Sequence, residues 1–222
     1  EAVTVWLGEP VAIAAPTCVE LRRASGQNLL IIGQDENQID SLLAYAAMSI
    51  CCRPQPQTTG DVIASRFVLL QAGRNEESAD RFKRFQQHFR NHSPELKLES
   101  DCDALIAEFH TEVVEREENS ERSTGGEIFL VVRNVGQFRS LRKDDDDFGM
   151  GGFGELKPLT IANKFSELLK RGPVVGVHVI VWSDTFSNAV RWLSNSLLRE
   201  FEHRIAFRMN QTDSASLVDT PV

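Results

Sequence analysis

The sequence predicts an α/β domain built as three layers around a mostly parallel sheet, and three observations predict it. Short apolar runs alternate with longer stretches of helical periodicity, at the spacing of βαβ units. The strongest runs, around residues 28–33, 126–135 and 177–183, are apolar without alternation, as strands covered on both faces are. The chain of 222 residues, 41% hydrophobic and 25% charged, is long enough to bury one sizeable core.

Each element has its own reason. Residues 3–24 read as two short strands, VTVWLGEPVAI and CVELRR, so that 1–27 forms a leading hairpin and 28–222 the domain proper. Strand 28–33 runs into a helix over 38–52, where Leu42, Leu43, Ala46, Ala47 and Ile50 mark one face. A Pro/Gln/Thr/Gly loop at 53–60 precedes strand 66–72. A helix follows over 76–90, with Phe82, Phe85 and Phe89 on one side and a solvated basic face opposite. LKLES is a short strand, and 102–119 is a helix with Leu105, Ile106, Phe109 and Val113 as its stripe. After strand 126–135, KDDDDFGMGGFGE (143–155) is acidic and glycine-rich, a segment with little to bury and expected to be a mobile surface loop. Helix 158–171, strand 177–183, helix 188–201, strand 203–209 and a helical turn at 212–218 complete the order.

Composition narrows function. The net charge of −8 argues against a broad basic face for nucleic acid, so any DNA contact would need a local patch or neighbouring subunits. Cys18, Cys51, Cys52 and Cys102 show no zinc spacing and read as buried free thiols of a reducing cytoplasm. No apolar run reaches the roughly 18 residues of a membrane span. The missing initiator methionine and the stop after Asp219-Thr220-Pro221-Val222 lead to the expectation of a piece of a longer polypeptide. His88 and His92 lack a third ligand, and Asp144–Asp147 lacks the alternation of a calcium loop, so no metal site is assigned. Neither His110 nor His178 has an evident catalytic partner.

The informative stretch is NLLIIGQDENQID, Asn28 to Asp40. An apolar strand stops at Gly33 and a helical pattern follows, the layout of a phosphate loop. The motif G-x-x-x-x-G-K-[ST] would place glycine at 38, lysine at 39 and a hydroxyl at 40, where this chain has Gln38, Ile39 and Asp40. Asp35 and Glu36 add carboxylates that would repel a triphosphate. P-loop ATPases end a second hydrophobic strand in Asp-Glu, for magnesium and for water activation. Here that strand ends in Arg133-Asn134, so both acidic roles are missing. Charge has swapped sides, and Arg133 is expected to pair with Asp40, Asp35 or Glu36 and fill the place of a metal.

LLKRGPVVGVHVIVWSDTFS (168–187) and HRIAFRMNQTDSASLVDTP (203–221) resemble the FtsK/SpoIIIE family of DNA-translocase and secretion ATPases. Arg171, Gly172, Gly176, Val177 and His178 fit its "R-G-x-x-x-G-[IV]-H" turn, and Arg204, Ile205, Phe207, Asp213 and Ser214 fit its "R-I-[AS]-F" and "D-S" segments. The resemblance implies a RecA-like P-loop NTPase fold working as a hexameric ring, often with several ATPase modules on one polypeptide, some degenerate, as in the EccC/EssC motors of type VII secretion. It implies that Arg204 lies at a subunit boundary and assists a neighbour's nucleotide site in trans. It also puts Asp184 where the family has a Thr-Gln sensor of the γ-phosphate, a further departure.

The sequence therefore reads as a degenerate, non-hydrolysing motor domain with a vestigial nucleotide site at Gly33, Gln38, Ile39, Asp40, Arg133, Asn134 and Asp184. Its expected role is structural or regulatory, its expected partners other ATPase domains of a ring, with DNA reached through the assembly. Two alternatives stay open: an active ATPase, with ATP and Mg²⁺ as cofactors, completed by neighbouring subunits, and a pure protein-interaction domain.

Overall fold

The computed structural model describes residues 2–10, 13–51, 65–72, 80, 83, 87, 95–119, 125–142 and 158–218, with the backbone alone for 95–99. The loops expected at 53–60 and 143–155, His88 and His92, and the 76–90 helix apart from positions 80, 83 and 87, lie outside them.

Strands β1 (Val3–Gly8) and β2 (Thr17–Leu21) pair antiparallel as the leading hairpin. There follow β3 (Leu29–Ile32), α1 (Glu36–Cys51), β4 (Arg66–Gln71), β5 (Glu95–Glu99), α2 (Cys102–Glu118), β6 (Ile128–Arg133), α3 (Ile161–Arg171), β7 (Val177–Ser183), α4 (Phe186–Leu198), β8 (His203–Ala206) and α5 (Gln211–Val218). The main sheet has six strands in the order β5-β4-β6-β7-β3-β8, every neighbouring pair parallel. As expected from their unbroken apolar runs, β3, β6 and β7 are adjacent, central and fully buried.

Alternation along each strand builds the three layers. Leu30, Ile32, Val68, Leu70, Leu130, Val132, Val179 and Val181 face a core shared with α2, α3 and α4. Leu29, Ile31, Phe67, Leu69, Phe129, Val131, Ile180 and Trp182 face the other way, onto α1 and the hairpin's Val3, Val5 and Leu21.

The amino edge of the sheet is tied by buried polar groups. Asn28, with no exposed surface, donates to the carbonyls of Leu169 and Glu200 and accepts the Val179 N–H, joining the ends of α3 and α4 to β3 and β7. His178 donates from Nδ1 to the Gln27 carbonyl at 2.8 Å and stacks on Phe129. Arg23 donates to Glu127 at 2.8 Å, and Glu127 lies 3.7 Å from His178. Gly176, at φ +80°, leaves no room for a Cβ against the Glu127 carboxylate. Gly172 is equally constrained, since a Cβ there would stand 2.7 Å from the Val177 carbonyl.

Two expectations need correction. The first helix begins at Glu36 rather than 38. Cys18 is exposed, because it occupies an outward position of β2 in a two-stranded sheet, whereas Cys51 and Cys102 are buried.

Candidate functional site

In an open parallel sheet, ligands are taken up outside the carboxyl ends of the strands. Three such ends, those of β3, β6 and β7, meet the start of α1 here. Gly33 follows β3; its N–H donates to the Ser183 carbonyl at 3.1 Å, and its own carbonyl accepts Trp182 Nε1 at 2.9 Å. Phe207, whose N–H donates to the Ile32 carbonyl at 2.9 Å, lies directly on the glycine. A Cβ at position 33 would be 2.8 Å from Phe207 Cβ, so the position is closed to any larger residue unless Phe207 moves.

Only Gln34 and Asp35 separate Gly33 from α1. Asp35 Oδ1 accepts the N–H groups of Asn37 at 3.0 Å and Gln38 at 3.2 Å, the geometry of a carboxylate N-cap. A phosphate cradle needs these donors and an open loop to carry them. Here the loop is shortened by the early helix, and a side chain of the protein already sits on the first turn. Two of the N–H groups that a phosphate loop would offer are thereby already taken.

Asp40 lies one turn further and is 2% exposed; Arg133, at the end of β6, is 1% exposed. Arg133 donates from Nε to Asp40 Oδ1 at 2.9 Å and from Nη2 to Asp40 Oδ2 at 3.4 Å and Glu36 Oε2 at 3.0 Å. Its guanidinium carbon stands 5.1 Å from the centre of the Trp182 ring, within cation–π range. Of the three carboxylates considered from sequence, Arg133 takes Asp40 and Glu36, while Asp35 serves as the cap.

Other residues of the expected site fall elsewhere. Ile39, at the lysine position, has no exposed surface and packs in the layer between sheet and hairpin. Gln38 is exposed on the outer side of α1. Asn134 adopts a left-handed conformation (φ 58°, ψ 82°) and starts a 3-10 turn over Val135–Gln137. Asp184 is spent on the next helix: its Oδ1 accepts from Thr185 N and Asn188 Nδ2, each at 2.8 Å, beside the Thr185 cap of α4. Arg204 is half-buried rather than displayed on an outer face. It donates to the carbonyls of Phe201, Leu217 and Leu198 at 3.1, 2.7 and 3.1 Å, bracketing the carboxyl ends of α4 and α5.

Chemically, a guanidinium held between two carboxylates and an aromatic face is a closed ion cluster. Solved structures put the scaffold in context. The cytoplasmic domain of the Thermomonospora curvata type VII secretion ATPase EccC superposes with a TM-score of 0.58 at 15% identity, over 96% of this chain and 22% of that one. EssC ATPases 2 and 3 from Geobacillus thermodenitrificans give 0.57 at 12%, over 99% and 39%. Thermomonospora curvata EccC ATPases 2 and 3, in complex with a signal sequence peptide, give 0.53 at 14%, again over 99% and 39%. What this chain shares with them is the RecA-like fold. It spans well under half the length of each. No family model matches the sequence, and no curated protein sequence does. Among the described residues, no helix is long and apolar enough to cross a membrane.

Two participants were missed from sequence. Trp182 carried one signal, the need of a buried indole N–H for an acceptor, which Gly33 supplies. Phe207 carried none, since its approach to Gly33 depends on how β8 docks beside β3.

Proposed function

We propose that this chain is a non-hydrolysing FtsK/SpoIIIE-type motor domain, serving as a structural or regulatory module among other ATPase domains of a ring in the cytoplasm. The observation that carries the reading is Arg133, buried at the end of β6 and bonded to Asp40 and Glu36. Its companion is the Asp35 carboxylate, which accepts the N–H groups of Asn37 and Gln38 on the first turn of α1. Mg-ATP does not fit these residues. Phosphate would have to displace Asp35 from the helix start, and a metal would have to displace a guanidinium already neutralised at hydrogen-bond distance.

The similarity to secretion ATPases supports a motor-related setting, and in that setting protein cargo is favoured over DNA, which the acidic surface would repel. A trans-acting role for Arg204 would require its guanidinium to leave three main-chain carbonyls.

Calorimetric titration of the 222-residue chain with Mg-ATP tests the reading. No heat of binding is expected for the wild type. Micromolar affinity, or hydrolysis that Arg133→Ala abolishes, would establish an active enzyme instead.

A further inference from the structure

In a chain of net charge −8, segments 128–142 and 185–199 contain no Asp or Glu, yet they carry Arg133, Arg139, Arg142, Arg191 and Arg199. The two segments meet at the carboxyl ends of the strands. Trp192 of α4 donates from Nε1 to the Phe138 carbonyl at 3.1 Å, and the Arg142 guanidinium carbon stands 5.8 Å from the centre of its ring. A second 3-10 turn, Arg139–Leu141, ends at Arg142, whose N–H donates to the Arg139 carbonyl at 3.1 Å. Side chains three apart in such a turn stand on the same side. Arg191 flanks Trp192 on α4. Arg139, Arg142 and Arg191 are exposed, and among the described residues no carboxylate pairs with any of them. Arg133 faces the α1 layer instead, and Arg199 lies at the far end of α4.

The surroundings favour an anion. Helices α2, α3 and α4 all begin at this edge, so the positive ends of their dipoles add to the arginines. Two of the bordering carboxylates already cap those helix starts. Asp101 accepts the Ala104 N–H at 3.1 Å, and Asp184 accepts the Thr185 N–H at 2.8 Å. Exposed Asp103, on the first turn of α2, limits the patch on the side where Ser140 meets Cys102. Guanidinium groups take carboxylates and phosphates in the same forked geometry, so size decides between them. Three arginines fall short of the basic stripe that a nucleic-acid backbone needs, and the rest of an acidic chain repels a long polyanion. A short acidic stretch of protein needs the patch alone.

We propose that Arg139, Arg142 and Arg191 form a docking site for a carboxylate-rich segment of a partner protein. The proposal goes beyond the proposed function and is independent of whether the 33–40 loop binds nucleotide. Fluorescence anisotropy on the whole chain tests it, with a labelled glutamate decamer and a thymidine decamer of similar charge as probes. The glutamate decamer should bind, and more tightly than the thymidine decamer. Arg139→Ser/Arg191→Ser should weaken it roughly tenfold or more. Lys83→Ser/Lys170→Ser removes the same charge from exposed positions elsewhere and should leave the affinity within about twofold. Both double variants should melt as the wild type does; if the arginine pair does not fold, its two single variants carry the test. Asp144–Asp147 follow the patch in the sequence, and their replacement by Asn completes the set. Tighter binding of the thymidine decamer, equal losses in the two double variants, no binding of the glutamate decamer, or binding that appears only once Asp144–Asp147 are replaced would each overturn the proposal.

Discussion

The two edges of the sheet both bury charge, yet they use it differently. At the carboxyl edge, Arg133, Asp40 and Glu36 neutralise one another, side chain to side chain, across β6 and α1. At the amino edge, Asn28, His178 and Arg116 mostly bond main-chain groups: Arg116, also buried, donates to the carbonyls of Val175 and Gly126. The first arrangement closes a space that a parallel sheet ordinarily leaves for ligands. The second fastens loops and helix ends to the scaffold. The segment Arg171 to His178, whose pattern resembles a turn of motor ATPases, belongs to the second edge. What the chain shares with the solved ATPase structures is the fold, and its closed cluster lies at the end of the sheet where ligands ordinarily bind.

The largest effect should come from breaking the carboxyl-edge cluster. Arg133→Ala leaves Asp40 buried without its guanidinium and should cost about 3–5 kcal/mol in urea unfolding. The double variant Arg133→Met/Asp40→Leu should recover most of that loss. A single-variant cost below about 1 kcal/mol would show that the cluster does not hold the edge together.

Asn28→Ala probes the other edge. It strands the buried Leu169 carbonyl, the half-buried Glu200 carbonyl and the Val179 N–H, and should destabilise by roughly 2–3 kcal/mol. Combined with Arg133→Ala, its effect should add, because the two sites share no partners. Strong coupling between them would erase the distinction between the edges.

A smaller effect is expected with acid. Burial pushes the Glu127 carboxyl upward, but His178 and Arg23 outweigh it and hold it below its ordinary 4.5. A carboxyl lowered in the folded state contributes stability above its unfolded value and loses it as pH falls through the folded one. The urea midpoint should therefore decline below about pH 4.5, and Glu127→Gln should flatten that part of the curve. An unchanged acid limb in Glu127→Gln would remove Glu127 from the account.

Smallest is a labelling contrast with no effect on stability. Cys102 opens α2, where a helix start favours a thiolate, yet burial dominates and raises its thiol to about 11. Iodoacetamide at neutral pH should modify exposed Cys18 and spare Cys102 and Cys51 until the chain unfolds. Equal rates in the native state would mean that the carboxyl edge opens readily.

The central strands were legible because β3 and β6 are apolar at every position up to their ends, and β7 at every position but His178, which leaves only the middle of a sheet for them. Arg133 opposite an acidic loop was legible for a similar reason: a charge at the end of a buried strand requires a counter-charge nearby. The early start of α1 had a signal that was passed over, since Asp35 followed three residues later by Gln38 resembles a capping box. Other features depend on distant segments. Phe207 meets Gly33 through the pairing of β8 with β3, and Arg204 turns toward Leu198 and Leu217 only because α4 and α5 end beside its strand. Periodicity within one segment carries no trace of such meetings.

The stacking of Arg133 on Trp182 has an optical consequence. The chain has three tryptophans; Trp6 is exposed, Trp192 half-buried, and Trp182 is 1% exposed. The short-wavelength part of the emission therefore originates beside the guanidinium, and loosening of that contact would shift it toward the red while helical circular dichroism stayed unchanged. The closed cluster thus carries its own fluorophore, able to report opening without any added dye.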